Sequence, residues 1–109
     1  MVASDLGSAI TRLSEIITNR KGAAPSESYT ASLLAAGPQK CAKKFGEEAV
    51  ELVMAASGES AERVAAEAAD VLYHLLVLLA ASGVDGASVA AALAAREGQS
   101  GHTEKASRK

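Results

Sequence analysis

Three glycines, Gly37, Gly58 and Gly83, each close a run in which apolar side chains recur every three or four residues. That recurrence is the period of an α-helix, whose positions three and four apart share a face; a strand would alternate instead. Alanine fills the runs, with 25 of the 109 residues, whereas Tyr29, Phe45 and Tyr73 are the only aromatic residues. Alanine has the best helix propensity and strands favour branched and aromatic side chains. The sequence therefore predicts an all-α fold and excludes a β-sandwich or barrel. A chain of this length has material for one core, so a single domain over residues 1–109 is expected.

The punctuation predicts five helices. The first is expected over residues 2–19, where Leu6, Ile10, Leu13, Ile16 and Ile17 keep helical spacing. Residues 19–28 hold Arg20, Lys21, Gly22 and Pro25 and read as a mobile basic loop. Ser28 is suited to cap a short second helix that Gly37 stops. Pro38 suits the first turn of a third, over about 38–57. A fourth is expected from 59 or 60 to 82, and a fifth over 86–96 with Asp85 as its cap. Residues 97–109 form a polar tail. Short connections make the third and fourth helices an antiparallel central pair. Residues 71–79 are apolar almost all round, and so few helices leave little to cover them; a second copy is the expected cover, giving a homodimer held by the fourth helix.

Charge and cysteine content narrow the function. Eleven basic and 13 acidic residues give a net charge of −2, which excludes a strongly basic nucleic-acid binder. The lone Cys41 excludes an intramolecular disulfide framework and a multi-cysteine zinc site, and fits a reduced, cytoplasmic setting. No signal peptide is expected at the N-terminus, and the apolar stretch 71–81 is expected to be too short to cross a bilayer.

The charged residues fall on stripes. On the third helix Ala42, Phe45, Ala49, Leu52, Val53 and Ala56 form the expected core side, while Lys40, Lys44, Glu47, Glu48 and Glu51 gather on another. On the fourth, Val64, Ala68, Val71, Leu72, Leu75 and Leu79 form the apolar side, and Arg63, Glu67, Asp70 and His74 a narrow polar stripe beside it. Packing the apolar sides together would bring the acidic stripes to two walls of one groove. Glu48 and Glu51 are three apart, as are Glu67 and Asp70, so each pair shares a face. Four converging carboxylates repel one another unless a cation intervenes. An oxygen-only donor set suits a hard ion such as Mg²⁺, whose usual company is phosphate. Solvated helix faces carry such stripes too, and Lys44 with Glu48 makes an ordinary surface pair. Against that, Asp70 and His74 lie in an apolar half-helix, where ionisable groups are costly unless paired or metal-bound. The residues by themselves leave both readings open.

The motifs carry a resemblance. Gly46-Glu47-Glu48-Ala49-Val50-Glu51, followed by Glu67-Ala68-Ala69-Asp70, resembles the Glu-Glu-x-x-Glu, spacer, Glu-x-x-Asp pattern of the MazG-like all-α nucleoside triphosphate pyrophosphatases. Further motifs resemble, more narrowly, the phosphoribosyl-ATP pyrophosphatase family of histidine biosynthesis. They are Ser28-Tyr29-Thr30, Gly37-Pro38-Gln39-Lys40 leading to Lys43-Lys44, Asp70-Val71-Leu72-Tyr73-His74, and the ending from Ser100 to Arg108. The similarity runs over about residues 6–108. Cys41 departs from an expected aliphatic residue, and His102-Thr103 from a stretch expected to begin with an apolar one. The resemblance implies Glu48, Glu51, Glu67 and Asp70 as Mg²⁺ ligands, with Glu47 orienting a ligand, positioning water or pairing with a lysine. It implies hydrolysis of 1-(5-phosphoribosyl)-ATP to the AMP compound and pyrophosphate. Lys40, Lys44, His74, Lys105 and Arg108 are the expected substrate contacts. Lys43 lies off the stripe. Arg20, Lys21 and the basic tail, Lys109 included, are candidates to close over a polyanion. Two other readings remain to be separated: a house-cleaning pyrophosphatase acting on other nucleotides, and a non-catalytic helical interaction protein.

Overall fold

The computed structural model describes residues 5–98, which contain helices and no strand. Helix α1 spans Leu6–Asn19, α2 Tyr29–Ala36, α3 Pro38–Ala56, α4 Ala61–Ala81 and α5 Gly86–Ala94, with a single 3₁₀ turn at Pro25–Glu27 in the loop before α2. Local chemistry sets these limits. The side chains of Asp5, Ser28, Ser60 and Asp85 accept from the backbone N–H of Ser8 at 2.9 Å and of Ala31, Arg63 and Ala87 at 3.2 Å, each satisfying a helix-start donor. Gly37 joins α2 to α3 at φ +96°, a conformation that other residues rarely adopt. Helix α1 begins four residues after the expected start at residue 2, because the extended Asp5 caps it. Helix α5 ends at Ala94, two residues short of the expected limit, and residues 95–98 continue as turns.

Helices α3 and α4 run antiparallel. Cys41 shares a core cluster with Val77, and Glu48 approaches Asp70, so a step of seven up one helix is a step of seven down the other. The cluster is formed by Ile17, Leu33, Cys41 and Val77, with Leu13, Leu34, Tyr73 and Leu76 among the residues packed around it. It thus joins α1, α2, the start of α3 and the second half of α4. Cys41 is buried there, its Sγ–H donating to the Leu33 carbonyl at 3.1 Å. Burial pushes the thiol pKa up, so Cys41 behaves as a small core residue rather than a nucleophile.

The structure corrects which faces are buried. Val53, Ala42 and Ala56 were expected on the core side of α3, yet Val53 is 65% exposed and both alanines are exposed. Cys41 and Ala55 are the buried residues of α3, and Glu67, His74 and Val77 those of α4. The reason is a rotation of the packing seam. Cys41, Phe45, Glu48, Leu52 and Ala55 recur at four-three spacing, as do Arg63, Glu67, Asp70, His74 and Val77, and that is the spacing of a seam between paired helices. The polar stripe of α4 therefore lies on the seam, and the apolar stripe beside it, Val64 to Leu79, stays half-covered. Val50, Val53 and Met54 leave a second apolar face on the outside of α3. The radius of gyration, 15.8 Å, exceeds the roughly 13 Å of a compact domain of this length.

Helix α4 is also longer than the apolar stretch expected from the sequence. By length and composition it is the one described helix that could cross a membrane. It carries Arg63, Glu67, Asp70 and His74 along one line and packs against α1, α2 and α3, as the central helix of a bundle does.

Candidate active site

The polar seam brings three carboxylates together. One oxygen from each of Glu48, Glu67 and Asp70 lies within 4.8 Å of the other two. Glu48 sits at a seam position of α3, while Glu67 and Asp70, one turn apart, come from α4; the antiparallel register sets them opposite each other. Glu67 is buried, Glu48 half-buried and Asp70 exposed, so the group opens to solvent on one side. Like charges this close repel by about 1 kcal/mol per pair even in a water-like medium. Two cations offset part of that repulsion. The Arg63 guanidinium pairs with Glu67 and also reaches Glu59 at 3.4 Å. The Lys44 ammonium lies 3.7 Å from Glu48 and 3.6 Å from Glu47.

Not every expected residue joins the group. Glu51, one turn beyond Glu48, is exposed and outside the close triad. Glu47 faces Lys44, the lysine pairing that was one of its expected roles. Lys40, Lys43 and Lys44 line one cleft of about 390 Å³ with Tyr29 and Ser32 of α2 and Glu47. Lys43, read from the sequence as lying off the stripe, thus shares a surface with the other two. Lys21 lines a different cavity at the far end of α4, with Ile17, Leu76 and Gly83, and is not gathered around the carboxylates. Lys105 and Arg108 lie outside the described residues. Arg63, on the polar stripe but with no role foreseen, is the direct partner of Glu67; the Glu59, Arg63, Glu67 spacing of four is the signal that could have found it.

His74 closes the site on the side of α2. It is buried, with its ring edge-on to Tyr73 at 4.9 Å and to Tyr29 at 6.4 Å between centroids, and the Tyr73 hydroxyl hydrogen-bonds Thr30 of α2. Burial holds the imidazole pKa below its usual 6.5; Glu48 and Asp70 oppose this and Lys44 adds to it. A neutral folded imidazole makes the unfolded state the better proton acceptor just below pH 6.5. The stability it contributes is full above 6.5 and is lost as pH falls from there through the folded pKa. Urea unfolding midpoints are therefore expected to fall more steeply between pH 7 and 5 in the wild type than in His74→Gln. Parallel slopes would refute the assignment.

An all-α bundle whose central antiparallel pair lines up acidic side chains beside lysines has the donor set of a hydrolase acting on phosphoric anhydrides. Residues 10–97 match the family model of phosphoribosyl-ATP pyrophosphohydrolase. The chain is 59% identical over 99 residues to the phosphoribosyl-ATP pyrophosphatase of Cereibacter sphaeroides, covering 91% of this chain and 96% of the relative. The enzyme of that name from Dinoroseobacter shibae is 57% identical over 101 residues, covering 93% and 99% respectively. That of Parvibaculum lavamentivorans is 56% identical over 101 residues, covering 93% of both. The chain belongs to the phosphoribosyl-ATP pyrophosphohydrolase family, within the MazG-like helical superfamily. It is accordingly an enzyme that hydrolyses a pyrophosphate bond, and the reading as a non-catalytic interaction protein is overturned.

Proposed function

We propose that the protein hydrolyses 1-(5-phosphoribosyl)-ATP to 1-(5-phosphoribosyl)-AMP and pyrophosphate with Mg²⁺, the second step of histidine biosynthesis, in the cytoplasm. The observation that carries this reading is the meeting of Glu48, Glu67 and Asp70 next to the lysine cleft. Three oxygen donors within 4.8 Å of one another fit a hard divalent cation in number and chemistry. Glu48, Glu67 and Asp70 would hold it, with Glu51 as the fourth carboxylate of the motif. When bound, Mg²⁺ neutralises phosphate charge and lowers the pKa of a coordinated water.

The remaining work falls to the chain itself. Hydrolysis of a triphosphate needs charge neutralisation and a positioned water, with little covalent chemistry by the protein. Arg63 fixes the Glu67 carboxylate in place. Lys44 reaches Glu48 and directs positive charge to where phosphate oxygens would lie; Glu47 holds that ammonium from the other side. Neutral His74 and the two tyrosines form an aromatic wall beside the site. Lys40 contacts the substrate from the cleft, and Lys105 and Arg108 from the tail. Pyrophosphate release from phosphoribosyl-ATP, measured with and without Mg²⁺ and against a panel of ordinary nucleotides, tests the reading. Metal-dependent turnover specific to phosphoribosyl-ATP is expected. Turnover of the panel instead would move the protein to a house-cleaning role.

The half-covered stripe of α4 and the exposed Val50, Val53 and Met54 of α3 support assembly as a homodimer over the single domain. Light scattering after size exclusion is expected to give twice the 11.0 kDa chain mass. A monomer mass at micromolar concentration would exclude the dimer.

A further inference from the structure

We propose that the cleft between α2 and α3 is a second anion subsite, which takes the phosphate of the substrate's phosphoribosyl group and so separates phosphoribosyl-ATP from ordinary ATP. This rests on the substrate reading above and adds which end of the substrate the cleft holds. Three lysines, Lys40, Lys43 and Lys44, line the cleft, with Glu47 as its one carboxylate. Lys44 is matched by Glu47 and Glu48, but among the described residues neither Lys40 nor Lys43 has an ion-pair partner. Unmatched like charges around one concavity focus a field that favours an incoming anion.

The cleft begins beside the carboxylates, where Lys44 reaches Glu48 at 3.7 Å, and runs away from them along α3 to Lys40. Lys40 precedes Glu48 by eight residues, about 12 Å of helix at 1.5 Å per residue. That is longer than a triphosphate chain, and it suits a molecule with phosphate at both ends of a purine nucleoside. Phosphoribosyl-ATP is such a molecule and ATP is not. The ground between is aromatic: Tyr29 lines the cleft, is 56% exposed, and stands edge-on to His74, which lies one turn beyond Asp70. A purine crossing from one anion region to the other would pass these rings.

The test compares two ligands that differ only in the phosphoribosyl group. Phosphoribosyl-AMP and AMP are titrated by calorimetry, with Mg²⁺, into the wild type, into the double variant Lys40→Ala with Lys43→Ala, and into the arginine pair Lys40→Arg with Lys43→Arg. The wild type is expected to prefer phosphoribosyl-AMP by about tenfold or more. The alanine pair should lose most of that preference while AMP affinity shifts less than about twofold, and the arginine pair should regain it. No preference in the wild type, a preference kept by the alanine pair, or equal weakening toward both ligands would each overturn the subsite. Both lysines are exposed, and far-UV circular dichroism checks that the variants fold. Pyrophosphate release from phosphoribosyl-ATP by the wild type is run alongside. Its absence defeats the proposed reaction, whereas its presence with an unaltered ligand preference defeats only the subsite.

Discussion

An Asp70→Ala protein is expected to fold normally and to lose turnover by roughly a thousandfold or more, the scale of losing a group that stabilises transition-state charge. Asp70 is the exposed member of the triad and makes no capping or core contact, so its loss leaves no buried group unpaired. Removing it relieves repulsion with Glu48 and Glu67, worth about 1 kcal/mol in a water-like medium. The metal-free variant should therefore melt at the wild-type temperature or a few degrees above it. Added Mg²⁺ separates the two proteins further. A ligand at a hundred times its dissociation constant stabilises the fold that binds it by about 2.7 kcal/mol, so the wild-type melting temperature should rise and the variant's should not. Glu67→Gln should be as inactive but less stable, because it leaves Arg63 with only the more exposed Glu59. Near-normal pyrophosphate release by Asp70→Ala would remove the triad from the chemistry.

The second large effect concerns the core. Ile17 is 1% exposed and meets Leu33, Cys41 and Val77 where four helices converge. Ile17→Ala is expected to destabilise by about 3 kcal/mol, through lost burial and a cavity that rigid neighbours cannot close. Few side chains among the described residues are fully buried, so that loss is a large share of the whole. At about 4–8 °C per kcal/mol for a domain of this size, the melting temperature should drop by more than 10 °C. Ile16→Ala, one residue away but half exposed, should change it little. Equal losses at the two positions would mean that a second chain covers Ile16.

What could be read in advance follows the reach of the interactions. Caps and stops act within a few residues, so Ser28, Asp85, Gly37 and the limits of α2 to α5 were accessible to within two or three positions, whereas the start of α1 was placed four residues early because Asp5 was not read as its cap. The pairing of Glu67 with Asp70 was accessible too, because spacing of three forces a shared face. Which face of α4 turns inward was not. The helix is apolar on its flank and polar on its seam, and ranking by hydrophobicity puts the flank inside. The seam wins in this chain because Arg63 and Lys44 offset the carboxylates and because Cys41, Ala55 and Val77 close it at either end. Convergence of Lys43 with Lys40 was equally hidden, since it depends on where α2 lies across α3 and not on the register of α3 alone.

The junction at Gly37 has one consequence beyond ending a helix. It is the apex at which α2 and α3 are joined as two arms, and Tyr29 on one arm and the lysines on the other line the same cleft. At φ +96° and ψ 170° the apex occupies a region of backbone space that in practice is reserved for a residue without a Cβ. The placement of one arm against the other thus depends on a residue that is not among those lining the cleft. Evolution or design could widen or narrow what the arms admit through this one vertex, leaving every charged side chain in place.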